Sequence, residues 1–225
     1  MKIKERYNYI LWLLGVRKIL PSDITGAKII KENNEKLIEL GGEFLKLNYE
    51  GSEFKGRESI IKKLRKINQK LKEKYQLQLA VIEIYRNPEK YQKNWDKRIN
   101  DTREKFPNLS EKEIIREASK FSAKPNGNGP HQTGGAVDLT LADLDGNIIF
   151  MGSDYSEQSE KSFFESKNIS EEAKKYREIL KEVMEEEDFN NYPAEWWHWS
   201  YGDKMWAAYK KKPYAIYGPI TELAE

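Results

Sequence analysis

The chain has 225 residues, with 39 basic and 37 acidic side chains, a formal net charge of +2 and no cysteine. The missing cysteine excludes disulfides, a thiol nucleophile and any thiolate metal site, and the balanced charge provides no field that would gather nucleic acid. With 6 Trp, 13 Tyr and 8 Phe in a 38% hydrophobic composition, a chain of this length can bury one ordinary core.

At the start, Lys2, Lys4 and Arg6 precede an apolar run over 9–16, which loosely resembles a secretory signal. Glu5 and Asn8 interrupt it, and no small-x-small cleavage site precedes Arg17 and Lys18. The run is too short to span a bilayer. The expectation is a packed N-terminal segment and a cytoplasmic location, with a periplasmic or secreted one as the alternative. No repeat or low-complexity linker divides the chain, so a single domain over 1–225 is expected, with 1–55 as an extension packed on it.

Ile60, Ile61, Leu64, Ile67 and Leu71 fall at helical spacing, so a helix is expected over 57–75. Residues 77–85 bunch Leu77, Leu79, Val81 and Ile82 and read as a buried strand ending near Arg86-Asn87-Pro88. Ser110 with Glu113 forms a capping box for a helix to about Phe121. The Gly- and Pro-rich stretch 124–130 is a loop. Residues 136–141 alternate, and Asp145-Gly146 turns the chain into Ile148-Ile149-Phe150, a β-hairpin. Residues 154–168 are polar and read as a surface loop. Ser170 opens a helix to about Glu187 with Ala173, Tyr176, Ile179, Leu180 and Val183 on one side. A strongly aromatic strand follows over 195–201. Helices and antiparallel-type strands without a βαβ rhythm make this an α+β chain, with a small antiparallel sheet flanked by helices.

The chain contains two histidines, His131 and His198, each near carboxylates. By period two, Ala136, Asp138 and Thr140 share one strand face, and Val137, Leu139 and Leu141 share the core face. Asp138 therefore looks toward whatever the His131 loop covers, and Gly134-Gly135 lets the backbone double back between them. Glu195 and His198 lie three apart, which in an ideal strand puts them on opposite faces. They can share a site if Glu195 sits at a bend just after Pro193. Two neutral imidazoles and one carboxylate suit a catalytic zinc with an open position, with a free carboxylate nearby as base and Trp196, Trp197 and Trp199 excluding water. Spacing alone leaves this beside a plainer reading, a hydrogen-bonded histidine in an aromatic core.

Three blocks then carry a resemblance: Pro130-His-Gln-Thr-Gly-Gly-Ala-Val-Asp-Leu-Thr-Leu141, Met151-Gly152-Ser153, and Glu195-Trp-Trp-His198. In this order they resemble the D-alanyl-D-alanine dipeptidase family, which includes the vancomycin-resistance dipeptidases and is akin to zinc D,D-carboxypeptidases and the hedgehog-type fold. The likeness runs over about 77–201; the N-terminal 50 residues lie outside it. It implies one Zn2+ held by His131, Asp138 and His198, Glu195 as catalytic base, and Arg86 as a cation stabilising the oxyanion. It implies a small D-amino-acid dipeptide or a cell-wall peptide as substrate, with Asp154, Ser156 and Trp197 as candidate contacts. Two positions depart from the family pattern. Gly129-Pro130 stands where a serine is expected, and Ser156 stands where an aspartate holds the substrate amine, with Asp154 and Glu157 as stand-ins. The same chemistry on another substrate, as a D,D-carboxypeptidase or peptidoglycan endopeptidase, and a non-catalytic zinc-containing binding module are the alternatives.

Overall fold

A computed structural model describes residues 11, 12, 14, 15, 19, 20, 22–49, 51–119, 129–157 and 159–220. In chain order the elements are α1 (Ser22–Gly26), β1 (Leu37–Glu39), β2 (Leu45–Lys46), β3 (Lys55–Arg57), α2 (Glu58–Tyr75), β4 (Leu77–Glu83), α3 (Pro88–Lys105) and α4 (Glu111–Ala118). A 3-10 turn (Pro130–Thr133), β5 (Ala136–Asp143), a second 3-10 turn (Glu160–Ser162), α5 (Glu171–Glu186), β6 (Asn190–Tyr192), β7 (Glu195–Ser200) and α6 (Lys204–Tyr209) complete the fold.

The architecture is α+β. Its main sheet runs β2-β4-β5-β7-β6, antiparallel except for the parallel β2–β4 pair, and β1 with β3 forms a separate two-stranded ribbon. One face of the main sheet is apolar. Leu79 and Val81 of β4, Val137, Leu139 and Leu141 of β5 and Trp199 of β7 join Ile60, Leu64 and Leu71 of α2 and Leu180, Val183 and Met184 of α5 in one buried cluster. The expected partition of β5 therefore holds, but Ala136, Asp138 and Thr140 on the opposite face are buried as well. Leu40 and Phe44 enter the same cluster.

The structure corrects two expectations and makes a third change. The chain does turn back at 143–147, but Ile148–Phe150 forms no full second strand: Ala142 and Ile148 meet in an isolated antiparallel bridge, Ile149 N–H donates to the Leu141 carbonyl at 2.9 Å, and Ile148 and Phe150 are exposed. The stretch after Met151 is more than a surface loop, since Phe164, Ser162 and Ser166 are buried in it. Its anchor is Arg177 of α5, 1% exposed. That guanidinium donates to the carbonyls of Met151 (2.7 Å), Phe163 (2.6 Å), Phe164 (3.2 Å) and Lys161 (2.8 Å), and lies over the Trp196 ring. The third is an addition: α3 occupies 88–105, where Asn87 caps the helix by accepting from the Lys90 N–H and Pro88 starts it.

The capping box at Ser110 and Glu113 is present, and α4 ends at Ala118; the rest of the stretch to Phe121 and most of the 124–130 loop lie outside the described residues. Half of the N-terminal apolar run also lies outside them, and within the described half Trp12 meets the Tyr209 ring edge-on at 6.0 Å. No described helix is long and apolar enough to cross a membrane.

Removing the Arg177 side chain strands the buried carbonyls of Met151 and Phe164 and frees two part-buried ones, so Arg177→Met should cost about 3–5 kcal/mol. Urea denaturation checks this, with the exposed Lys175→Ala as control. A loss under about 1 kcal/mol would show that the loop does not depend on this guanidinium.

Candidate active site

The site is built by sheet register. Asp138 of β5 pairs directly with His198 of β7, so their side chains rise on the same face. On the other side, Val81 pairs with Leu139 but Glu83 pairs with Asp138, so β4 carries an irregularity between them. That bulge puts Glu83, and not Ile82, beside Asp138. Glu83, Asp138 and His198 thus form one polar row across three central strands.

His131 reaches this row from the 3-10 turn. Gly134 closes the turn at φ +68°, in the left-handed region. At Gly135 a Cβ would lie 2.5 Å from the Tyr201 carbonyl, so only glycine permits the close approach to the end of β7. His131 Nδ1 lies 2.8 Å from the Ile84 carbonyl, and Arg86 N–H donates to the His131 carbonyl at 3.2 Å. A carbonyl only accepts, so Nδ1 carries the proton and Nε2 presents its lone pair to the row.

Three atoms then converge. His131 Nε2 is 3.1 Å from His198 Nδ1 and 3.2 Å from Asp138 Oδ1, and His198 Nδ1 is 2.9 Å from Asp138 Oδ1. All three residues are buried, and they are the one metal-capable group found among the described residues. His198 Nε2 lies 3.3 Å from Ser200 Oγ, which can accept its N–H and leave Nδ1 as a second lone pair. Lone pairs aimed at one another repel unless a cation sits between them. Ligands on a tetrahedral zinc with bonds of ~2.0–2.1 Å stand roughly 3.3 Å apart. The donor set and spacing fit such an ion.

The remaining oxygen of Asp138 is held from outside. Tyr155 donates to Oδ2 at 3.0 Å, and Arg86 Nη2 lies 3.8 Å away. Burial opposes the Asp138 charge, yet both imidazoles hold its carboxyl well below the usual range. Arg86 is itself fixed by Glu83, which accepts from its Nε at 2.9 Å and from its Nη2, and also binds Lys90 Nζ. Neither Glu83 nor Tyr155 was singled out in the sequence. Glu83 stands three before Arg86, a spacing that only the strand-end bend makes useful.

Glu195 behaves in the opposite way. Burial pushes its carboxyl up to about 7, against the pull of His198, Arg86 and Arg98. Its place near His198 follows from an irregular pairing of β6 with β7. Asn191 pairs with Trp199 but Tyr192 pairs with Glu195, so Trp196, Trp197 and His198 have no partner on β6. Glu195 is thus the first residue of β7 and not at a bend before it as expected, and the irregular pairing lies between it and His198.

The other candidates fall elsewhere. Asp154 and Ser156 are exposed on either side of Tyr155, and neither side chain is hydrogen-bonded to the cluster among the described residues. Trp197 is buried edge-on against Tyr155 and Trp196. Ser153 accepts from the Trp196 indole at 2.9 Å, which gives the Met151-Gly-Ser153 block a structural use. At Gly129 a Cβ would lie 2.3 Å from the Tyr91 ring, so the departure from serine there is a packing requirement of α3.

Glu83 is 2% exposed, and burial disfavours its charge, but Arg86, His131 and Lys90 hold its carboxyl below the ordinary 4.5. A depressed folded-state pKa gives stability that is complete above the unfolded value and lost as pH falls through the folded one. Glu83→Gln should therefore cost about 2–4 kcal/mol at pH 7, with the gap closing as pH falls below about 4. Paired urea titrations across that range check it; a gap independent of pH would remove the charge from the explanation.

A family model described as D-Ala-D-Ala dipeptidase matches residues 33–216, a wider stretch than 77–201. The D-alanyl-D-alanine dipeptidase of Synechocystis sp. is 34% identical over 109 residues, 42% of this chain and 44% of that protein. That of Enterococcus faecalis is 34% identical over 107 residues, 47% of this chain and 50% of that protein. The chain thus spans about half the length of these relatives. A solved structure of the vancomycin-resistance D,D-pentapeptidase VanY with Zn(II) aligns with a TM-score of 0.49 at 17% identity, covering 84% of this chain and 90% of that one. By its match over 33–216, this chain belongs to the D-Ala-D-Ala dipeptidase family.

Proposed function

We propose that this protein is a zinc-dependent peptidase that hydrolyses D-Ala-D-Ala or a similar small dipeptide. The observation that carries the reading is the convergence of His131 Nε2, Asp138 Oδ1 and His198 Nδ1 within 2.9–3.2 Å, with His198 on the strand that begins with the half-buried Glu195. Family membership supports the substrate class.

In this reading His131, Asp138 and His198 hold one zinc ion, which when bound supplies a Lewis acid and a water acidified to near-neutral pH. Glu195 takes a proton from the attacking water and returns it to the leaving amine as the C–N bond breaks. A carboxyl pushed up to about 7 suits both halves of that transfer near neutrality. Arg86 lies beside Asp138, immobilised by Glu83, and there it faces the negative charge that develops on the carbonyl oxygen. Tyr155 keeps its proton, because burial and Asp138 push its hydroxyl up, and so continues to donate to Oδ2. An open site with a free acid at its edge is unlike a purely structural zinc site, which closes its fourth position.

Zinc measured by elemental analysis should come to one per chain and be lost in His131→Ala and His198→Ala. Glu195→Gln should keep the metal and lose about 100- to 10,000-fold in kcat. Full activity in that variant removes Glu195 from the mechanism, and activity that survives complete chelation removes the metal.

A second reading keeps the chemistry and changes the substrate to cell-wall peptides. Ser156, exposed where the family pattern has an amine-holding aspartate, favours it. Parallel assays on free D-Ala-D-Ala and on muropeptides separate the two. We expect turnover of the free dipeptide; release from muropeptides alone would transfer the assignment to the second reading.

A further inference from the structure

One buried acid has no task in the mechanism. Glu83, Asp138 and Asp203 are the fully buried carboxylates among the described residues, and only the first two belong to the polar row. Asp203, 1% exposed, follows β7 by a fixed turn. Gly202 takes φ +75°, its carbonyl accepts from the N–H groups of Ile216 (2.7 Å) and Tyr217 (3.0 Å), and a Cβ there would lie 2.3 Å from the Tyr217 ring. The turn delivers Asp203 to the start of α6, where Oδ1 caps the helix by accepting from the Trp206 N–H at 2.8 Å.

Capping occupies one oxygen and needs no charge, since serine or asparagine caps as well. The other oxygen, Oδ2, is enclosed and has no hydrogen bond of standard geometry among the described residues. A buried carboxylate oxygen left without a donor is costly. The donor at hand is Ser200. Its hydroxyl faces the first turn of α6, 3.8 Å from Met205 Sδ, and acts on the Asp203 carboxyl. Burial pushes that carboxyl up, and the Trp206 N–H and the Ser200 hydroxyl pull against it. The same Ser200 Oγ lies 3.3 Å from His198 Nε2. A thioether is a weak acceptor, so the carboxylate takes the hydroxyl proton and Oγ turns a lone pair toward Nε2.

We propose that Ser200 and Asp203 form a hydrogen-bond relay that fixes His198 as a metal ligand: Nε2–H donates to Ser200 Oγ, the Ser200 hydroxyl donates to Asp203 Oδ2, and Nδ1 keeps its lone pair for the ion. The relay rests on the zinc reading above and adds two positioning residues to it, both acting through His198. His131 is fixed in the opposite tautomer by the Ile84 carbonyl, which can only accept. A hydroxyl both accepts and donates, so the charge on Asp203 is what gives the relay its direction. In Asp203→Asn the amide keeps the helix cap through its oxygen and places an NH2 group where Oδ2 was. Ser200 is then driven to accept from the amide and donate to Nε2, which moves the His198 proton to Nδ1, the atom that faces Asp138 and His131.

The test loads the full chain with zinc and labels its two histidines with nitrogen-15. Wild type should show a ring N–H at Nδ1 of His131 and at Nε2 of His198. Asp203→Asn and Ser200→Ala should each weaken zinc binding about 10- to 100-fold in competition with a chelator. The double variant should fall within about threefold of the weaker single one, because both break the same relay. Urea midpoints are followed in parallel. Zinc affinity within about threefold of wild type in either single variant, or His198 bound to zinc through Nε2, overturns the relay and leaves the peptidase reading intact. Losses that add in the double variant and track its urea midpoint reduce Asp203 to a helix cap and overturn the relay as well. A wild-type protein that binds no zinc overturns both.

Discussion

Asp138 has Glu83 on one neighbouring strand and His198 on the other, and the site depends on that register being held. The register is enforced from the opposite face. A slip of one residue in β5 would exchange Asp138 for Leu139 and drive a charged carboxylate into the cluster formed by α2 and α5. The apolar side of the sheet thus supplies the free energy that keeps a buried anion opposite two imidazoles. The β4 bulge adds a local adjustment of one residue, and it makes the cross-strand neighbour of Asp138 an acid able to hold Arg86.

Two acids of the candidate site, Asp138 and Glu195, are driven apart by their surroundings. Asp138 is surrounded by donors and positive charge, so it stays ionised and suits a ligand. Glu195 is desolvated with weaker compensation, so it is poised to gain and lose a proton. Environments that separate the pKa values of neighbouring acids are how one site assigns different tasks to the same functional group. Arg86 is pinned in the same region by a buried partner, Glu83.

Much of this was legible where a side chain declares its surroundings locally. The periodic apolar residues of α2 and α5, the alternation of β5 and the Ser110 capping box all announced themselves through spacing. The spacing of His131, Asp138 and His198 left a shared site beside the reading of a core histidine, and the family motif favoured the shared site. Helix α3 gave little sign, because only Tyr91 and Thr102 of its 18 residues are buried, leaving no apolar stripe to count. The strand irregularities at Glu83 and at Trp196–His198 depend on which strand lies alongside, a relation that no local window contains. The polar stretch after Met151 misled for a related reason, since its order comes from an arginine in a later helix.

The polar row draws on strands far apart along the chain, and its outer supports reach further still. Ile220 N–H donates to the Gln132 carbonyl, Arg57 donates to the Gly218 carbonyl, and the Tyr217 hydroxyl donates to Glu35. Contacts of such long sequence separation form late, because closing large loops costs entropy before any contact repays it. A nascent chain that has emerged from the ribosome only as far as α5 can bury part of its hydrophobic core, yet it holds neither His198 nor Glu195. During synthesis the cluster of His131, Asp138 and His198 therefore stays incomplete until β7 has left the ribosome, and Glu195 arrives on that same strand.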